Sequence, residues 1–373
     1  MNTRLQVEHP VTELVTGLDL VELMIRVANG EHLPLTQDDV TLTGWAREAR
    51  VYAEDPFRNF LPSIGRLTRY RGPMESANVR IDTGIVEGSE VSMYYDPMIA
   101  KLVTYGETRD AAIDNLADAL DAYYIRGVSH NISFLNALIT HPRFREGRLT
   151  TNFIAEEYPD GFHAQDLPQT DPLLPIVIGA IVHRQYIDRA ANISGQTRRF
   201  ERHIGEDWVV INKDTHYPVA LTPVEHGFEV THEDAIFRVK TDWRLGDPIV
   251  VAEVNGKLVS VQVDTNGPGY RVFHGGTELD LLVVTPNAAA LTMHMIEKVA
   301  PDLSRFLLSP MPGLLVRLAV AEGDEIKAGE ELAVVEAMKM ENSLRAEEDV
   351  KIAKVLANQG ESLDVDQPIL EFE

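Results

Sequence analysis

Cysteine is absent from the 373 residues. That excludes disulfides, a thiol nucleophile and every thiolate metal site, and it is compatible with a reducing compartment. Positive charge is scarce: 34 Lys and Arg face 58 Asp and Glu, for a net charge of −24. A phosphate backbone demands clustered cations, so no nucleic-acid partner is expected. The acidic excess reads first as solubility. No apolar run reaches the ~18–20 residues of a membrane-spanning helix. The start lacks the basic and apolar segments of a secretory signal, so neither membrane nor export is expected. No Walker-type glycine loop occurs, and the 12 histidines show no metal-ligand spacing.

The length suits two or three domains. Up to about residue 160 the pattern mixes helix and strand. Leu20, Leu23, Met24, Val27 and Ala28 keep helical spacing, with Asn29-Gly30 as the stop. Ile113, Leu116, Ala117 and Leu120 mark a second amphipathic helix with Thr108 as its N-cap, and 98–103 reads as a strand. Pro159, Pro168, Pro172 and Pro175 predict a linker. Residues 176–182 are nearly all apolar, a buried strand or a helix buried on every side, and Ala180 with the continuation through Ile187 favours the helix. From Trp208 to Val284 the pattern turns to strands, with Asn255-Gly256 as a hairpin signal. One buried helix and about eight strands predict an antiparallel β-barrel around a central helix. A second linker is expected over 286–309. Pro310 and Pro312 then open an all-strand module with turns at Gly313, Gly323, Gly329 and Gly360. The expected organisation is multidomain α+β, with domains at 1–160, 161–300 and 305–373.

The last module repeats itself. Gly323-Asp324-Glu325-Ile326 recurs as Gly360-Glu361-Ser362-Leu363, and Leu332, Val335 and Glu336 recur as Ile369, Phe372 and Glu373, always 37 residues on. At roughly 65 residues the module is small for one core, and a two-fold repeat lets each half cap the other. Lys339 lies in the connection between the halves, between Met338 and Met340, which offer flexible apolar surface. Two matching strand sets would put that connection at one pole, a geometry suited to a swinging arm. The module is acidic, with 15 Asp and Glu against 7 Lys and Arg over 305–373.

A second constellation opens the chain. Asn2, Arg4, Gln6 and Glu8 alternate, so on an extended strand they share one face. Arg4 could grip a small planar anion bidentately, and Glu8 could take a proton from it. Alternating polar residues are more often a solvated face, and Arg50 on its own is more often a surface ion pair.

These stretches resemble known families. Glu336-Ala337-Met338-Lys339-Met340 is similar to the biotin attachment motif of biotin carboxyl carrier domains, and Ser309-Pro310-Met311-Pro312-Gly313 fits the same family. The resemblance implies a barrel-sandwich-hybrid biotinyl domain with biotin joined to the Lys339 amine by a separate biotin protein ligase. A lipoyl domain shares the fold, but its Asp-Lys-Ala context is not present. The opening string, Asn59-Phe60-Leu61-Pro62-Ser63 and Tyr94-Tyr95-Asp96-Pro97-Met98-Ile99-Ala100-Lys101-Leu102 resemble the C-terminal part of ATP-grasp biotin carboxylases. By that resemblance Asn2 helps hold a metal ion, Mg2+ alongside ATP. Arg4, Gln6 and Val7 bind bicarbonate, and Glu8 deprotonates it. Arg50 meets the biotin ring and stabilises its enolate oxygen, a fixed cation where negative charge develops.

The family's ATP-binding half and the metal-binding Glu before the Met-Asn pair are not in this sequence. The chain is therefore expected to be the C-terminal part of a longer ligase subunit and inactive alone. About 145 residues separate the two recognised regions, too few for the ~250 of a TIM-barrel carboxyltransferase. The insert instead resembles the domain that docks α subunits of acyl-CoA carboxylases onto β subunits. The implied partners are a carboxyltransferase β subunit, bicarbonate, the ligase, and acyl-CoA through the β subunit. The implied location is the bacterial cytoplasm or the mitochondrial matrix. Ser309 to Gly313 and Met295-Ile296-Glu297-Lys298-Val299 look more like the branch that uses propionyl-CoA than those using methylcrotonyl-CoA or acetyl-CoA. The rival from another class is a non-catalytic biotin carrier and docking protein.

Overall fold

The computed structural model describes all residues except 1, 93–94, 169–171, 195–202, 293, 296–302, 304, 338–339, 347 and 373. A three-stranded antiparallel sheet runs in the order Trp45–Tyr52, Met98–Gly106, Val79–Thr83. Its middle strand is buried along most of its length, because strands flank both edges and helix Arg109–Asp121 packs Ile113, Leu116 and Leu120 onto it. That helix starts as expected, with the Thr108 side chain accepting the Ala111 N–H at 3.1 Å. Helix Leu20–Ala28 is also present, capped by the Asp19 carboxylate on the Glu22 N–H.

Residues 2–8 are not a strand. They bend and turn into helix His9–Thr16, with the His9 N–H donating to the Gln6 carbonyl and the Val11 N–H to the Glu8 carbonyl. Pro10 sits in the first helical turn, where its fixed φ favours the helix and its missing N–H has no acceptor to lose. Asn2, Arg4, Gln6 and Glu8 therefore do not share a strand face.

Described residues of both expected linkers are packed on the fold. Phe162 is buried against Phe57, Phe134 and Tyr158. Pro172 and Pro175 open helix Leu173–Ala191. Residues 286–292 form helix Pro286–Thr292, seated on the barrel through Ala289 against Val209 and Ile211.

Helix Leu173–Ala191 is the axle of a closed barrel of antiparallel strands in sequence order, from Asp207–Asn212 to Thr277–Val284, which pairs back onto the first. Ile176, Val177, Ile178, Ala180 and Ile181 are all buried, because the barrel wall meets the helix on every side. Closing the sheet leaves no exposed edge. Asn255 and Gly256, with φ of 49° and 87°, make the hairpin turn that their sequence signals.

The barrel is joined to the first lobe by a polar seam. Gln262, 5% exposed, donates to the Asp121 and Tyr123 carbonyls at 2.9 and 3.0 Å. Asp264 accepts from Tyr124 Oη at 2.7 Å and from Arg126 Nε at 2.6 Å. His274 Nδ1 lies 3.0 Å from Asp121 Oδ2, and the other Asp121 oxygen accepts the Gly275 N–H at 2.8 Å. Burial disfavours the charged imidazole, yet the hydrogen bond and charge of Asp121 outweigh it and hold His274 above the ordinary histidine range, with Lys257 opposing. Asp118 faces the same seam, its carboxyl pushed up by burial. A raised folded-state value means the seam is strongest below the unfolded histidine value of about 6.5 and weakens as pH climbs through the folded one. Calorimetry between about pH 6 and about pH 8.5 is expected to show a falling melting temperature that flattens in His274→Gln.

The last module is two four-stranded sheets. One runs Phe306–Leu308, Pro368–Phe372, Val350–Val355, Glu325–Ile326; the other runs Met340–Arg345, Glu331–Ala337, Gly313–Leu318, Ser362–Leu363. The 37-residue offset carries Gly313–Leu318 onto Val350–Val355 and Glu325–Ile326 onto Ser362–Leu363, so the sequence repeat is a structural repeat. Gly323, Gly329 and Gly360 take left-handed φ near 90° at turns. Gly313 does not turn. It begins a strand, and a Cβ there would stand 2.6 Å from the Glu336 carbonyl oxygen, so close packing explains it.

Candidate functional site

The strand Trp45–Tyr52 carries Arg50 in register with Lys101 of Met98–Gly106. Asn131, 6% exposed, fixes this strand by accepting the Tyr52 N–H at 2.9 Å and donating to the Arg50 carbonyl at 3.1 Å. The Arg50 guanidinium spans two carboxylates. Its Nε donates to Glu48 Oε1 and its Nη2 to Glu8 Oε2, each at 2.9 Å. The Glu48 side chain is only 7% exposed, whereas Glu8 is 53% exposed. The Glu48 hydrogen bond, working against burial, holds Arg50 firmly in its charged form. Val7 joins the same cluster through its carbonyl, which accepts from Lys101 Nζ at 3.2 Å, and Lys101 also pairs with Asp82 at 3.0 Å.

The turn at Val7 and Glu8 thus brings Glu8 to Arg50 across 42 residues. The other expected residues are not gathered there. Arg4 is exposed and donates to the Leu5 carbonyl at 3.2 Å. Asn2 and Arg4 border an open groove with Leu20, Leu23, Met24 and Val27 on helix Leu20–Ala28. Among the described residues, no hydrogen bond or ion pair joins the side chains of Asn2, Arg4 or Gln6 to Glu8 or Arg50. Sequence reasoning assigned nothing to Glu48, Asn131, Lys101 or Asp82. Glu48 carried one usable signal: it stands two residues from Arg50, on the same side of a strand.

Asn2 offers one amide oxygen. Among the described residues no three His, Asp or Glu side chains are grouped to hold a cation. An ion such as Mg2+, which demands near-octahedral oxygen ligation, does not find its ligands in these residues.

In the last module, Glu331–Ala337 and Met340–Arg345 pair up to Ala337 opposite Met340. Met338 and Lys339 stand between them in sequence and lie outside the described residues, as do Tyr94 and residues 296–299 of the motifs above. The strand next to them is anchored by Met311, 1% exposed, whose sulfur accepts from Asn342 Nδ2 at 3.5 Å. Ser309, fully buried, donates to the Met311 carbonyl at 2.7 Å. The Ser-Pro-Met-Pro-Gly stretch thus builds the floor beneath this end of the module.

Comparison with known proteins follows the same division. Family models match in sequence order: carbamoyl-phosphate synthase L chain, ATP binding domain, over residues 1–36; biotin carboxylase C-terminal domain over 48–156; propionyl-coenzyme A carboxylase BT domain over 176–298; and biotin-requiring enzyme over 306–372. The propionyl-CoA carboxylase alpha chain of Ruegeria pomeroyi is 48% identical over 100% of this chain and 58% of its own length. The mitochondrial propionyl-CoA carboxylase alpha chain of Homo sapiens is 40% identical over 100% of this chain and 52% of its own. The mitochondrial methylcrotonoyl-CoA carboxylase subunit alpha of Mus musculus is 32% identical, with coverages of 100% and 53%. The chain therefore spans between 52% and 58% of the length of these relatives. No described helix is long and apolar enough to cross a membrane. Three successive domain models thus stand in the order that these relatives share, and with similarity running along its whole length the chain carries a biotin carboxylase C-terminal domain, a BT domain and a biotin-requiring domain.

Proposed function

We propose that this chain is the docking and carrier part of a propionyl-CoA carboxylase alpha chain, divided at 1–160, 161–300 and 305–373. The observation that carries the reading is the barrel closed around helix Leu173–Ala191, set between a biotin carboxylase lobe and a biotinyl module. Biotin, attached to Lys339 by a biotin protein ligase, supplies a ring nitrogen that can accept and release a carboxyl group. In the first lobe Arg4, Gln6 and Val7 hold bicarbonate and Glu8 takes its proton. Arg50, steadied by Glu48, stands at the biotin ring as a fixed positive charge. ATP, Mg2+ and the Asn2 contact belong to the site completed with an ATP-grasp half, which the match over 1–36 supports. The barrel holds a carboxyltransferase β subunit, where acyl-CoA is bound. The names of the relatives support propionyl-CoA over methylcrotonyl-CoA or acetyl-CoA; a bacterial cytoplasmic or mitochondrial matrix setting goes with the same reading.

The separation of Asn2 and Arg4 from the Glu8–Arg50 pair favours a second reading for this chain by itself, that of a biotin carrier and docking protein. The test is reconstitution. Joined to an ATP-grasp half and mixed with a β subunit, the chain is expected to give bicarbonate-dependent ADP release and carboxylation of propionyl-CoA ahead of the other two acyl-CoAs. Alone it should give neither. Bicarbonate-dependent ADP release without the added half would refute the division of labour, and preference for another acyl-CoA would refute the substrate.

A further inference from the structure

The segment 55–63 holds two successive non-glycine residues in the left-handed region, Asn59 at φ 52° and Phe60 at φ 58°. Such backbone persists only where surrounding structure over-determines it. Here the Asp55 carboxylate caps the Phe57 N–H at 3.0 Å, Phe57 stacks on Phe162 at 5.4 Å, and Phe60 meets the Phe134 ring edge-on at 4.7 Å. The anchored loop turns two side chains outward. Leu61 packs against the apolar core of the last module, and Arg58 Nη2 lies 2.8 Å from Asp366 Oδ1, 308 residues away. Asp366 also has left-handed φ, at 60°.

The contacted end of the module is specific. The Asp366 N–H donates to the Ser309 carbonyl at 2.8 Å, and the Ser309 N–H to the Gln367 carbonyl at 2.9 Å. Leu363 pairs with Gly313, whose neighbour Leu314 lies opposite Glu336. The turn bearing Asp366 therefore stands at the end where Ala337 and Met340 close the strands, not at the Lys327 end, roughly 20 Å away along Glu331–Ala337. The strand that carries Arg50 leads through Glu54–Asp55 straight into the loop.

We infer that loop 55–63 is the dock on the carboxylase lobe for residues 305–373 of the same chain, engaging them by the end where the attachment lysine is joined. The inference rests on the carrier reading of that module. An exposed ion pair contributes little alone, so the rigid apolar seat at Leu61 does most of the holding, and Arg58 sets orientation against an acidic partner. Tethering supplies a high effective concentration, so a weak contact suffices and release stays easy.

The absence of cysteine gives a clean test. In the biotinylated chain, Arg58→Cys with Asp366→Cys is treated with a short bismaleimide and compared with Arg58→Cys with Lys327→Cys, the intramolecular product being read by intact mass and gel mobility. The first pair is expected to close about tenfold faster, and Leu61→Asp, with its fold checked by circular dichroism, should remove that advantage. Equal rates for the two pairs overturn the dock, and so does an advantage that survives Leu61→Asp. The chemistry of Lys339 is scored separately: a chain that docks yet takes no biotin refutes the carrier reading and leaves the contact standing.

Discussion

Lys339→Arg is expected to remove all covalent biotin and leave the fold unchanged. Arginine keeps the positive charge and much of the length of lysine, but its guanidinium stays protonated and offers no amine for acylation. The substitution falls in the short connection between Glu331–Ala337 and Met340–Arg345, outside both strands in sequence, so stability should shift by no more than about 0.5 kcal/mol. Other amines in the module are poor substitutes. Lys327 is held by Asp349 at 2.6 Å, which raises its proton affinity, and it lies at the opposite end. After co-expression with a biotin protein ligase, intact mass and a streptavidin blot should show the parent chain labelled and the variant blank. Label retained by the arginine variant would remove the carrier reading at its root. A variant that loses label and melts as the parent does isolates the loss to the attachment chemistry.

What could be read in advance depended on how local the cause was. Helix Leu173–Ala191 was legible because a run apolar on every side, yet too short to cross a membrane, has few fates other than a protein core. The last module was legible because a repeat records its own symmetry: the 37-residue offset between motifs is the offset between equivalent strands of the two sheets. The Gly313 turn was misjudged because a glycine chosen for close approach to Glu336 looks the same in sequence as one chosen for φ. The opening residues misled more seriously. Their alternation has the period of a strand, yet Pro10 and the start of helix His9–Thr16 decide the backbone, and Arg50, far along the chain, decides where Glu8 points. Asn131 and the seam residues Gln262 and His274 gave no signal, because each acts on backbone or carboxylate groups more than 75 positions away.

With an ATP-grasp half joined as proposed above, Glu8→Gln is expected to lower kcat for bicarbonate-dependent carboxylation of biotin about 10²–10⁴-fold, the usual worth of a positioned general base. The argument turns on the unequal exposure of the two carboxylates on Arg50. Glu48 is buried and bound to Nε, so it holds the guanidinium whether or not Glu8 is there. Glu8 is half exposed and bound only to Nη2, so it is the one free to leave Arg50 and meet a small anion. Glutamine preserves its size and an oxygen for Nη2 but cannot accept the proton, so KM for bicarbonate should move far less than kcat. Glu48→Gln should behave differently. It loosens Arg50 without touching the proton acceptor, and its deficit should appear with free biotin as a raised KM, partly recovered at high biotin concentration. Arg50→Lys supplies the contrast: one ammonium cannot span both carboxylates, so charge is kept while the fork is lost. If Glu8→Gln and Glu48→Gln lowered kcat equally with the same KM changes, both carboxylates would merely be holding Arg50, and the proton would have to leave bicarbonate by another route.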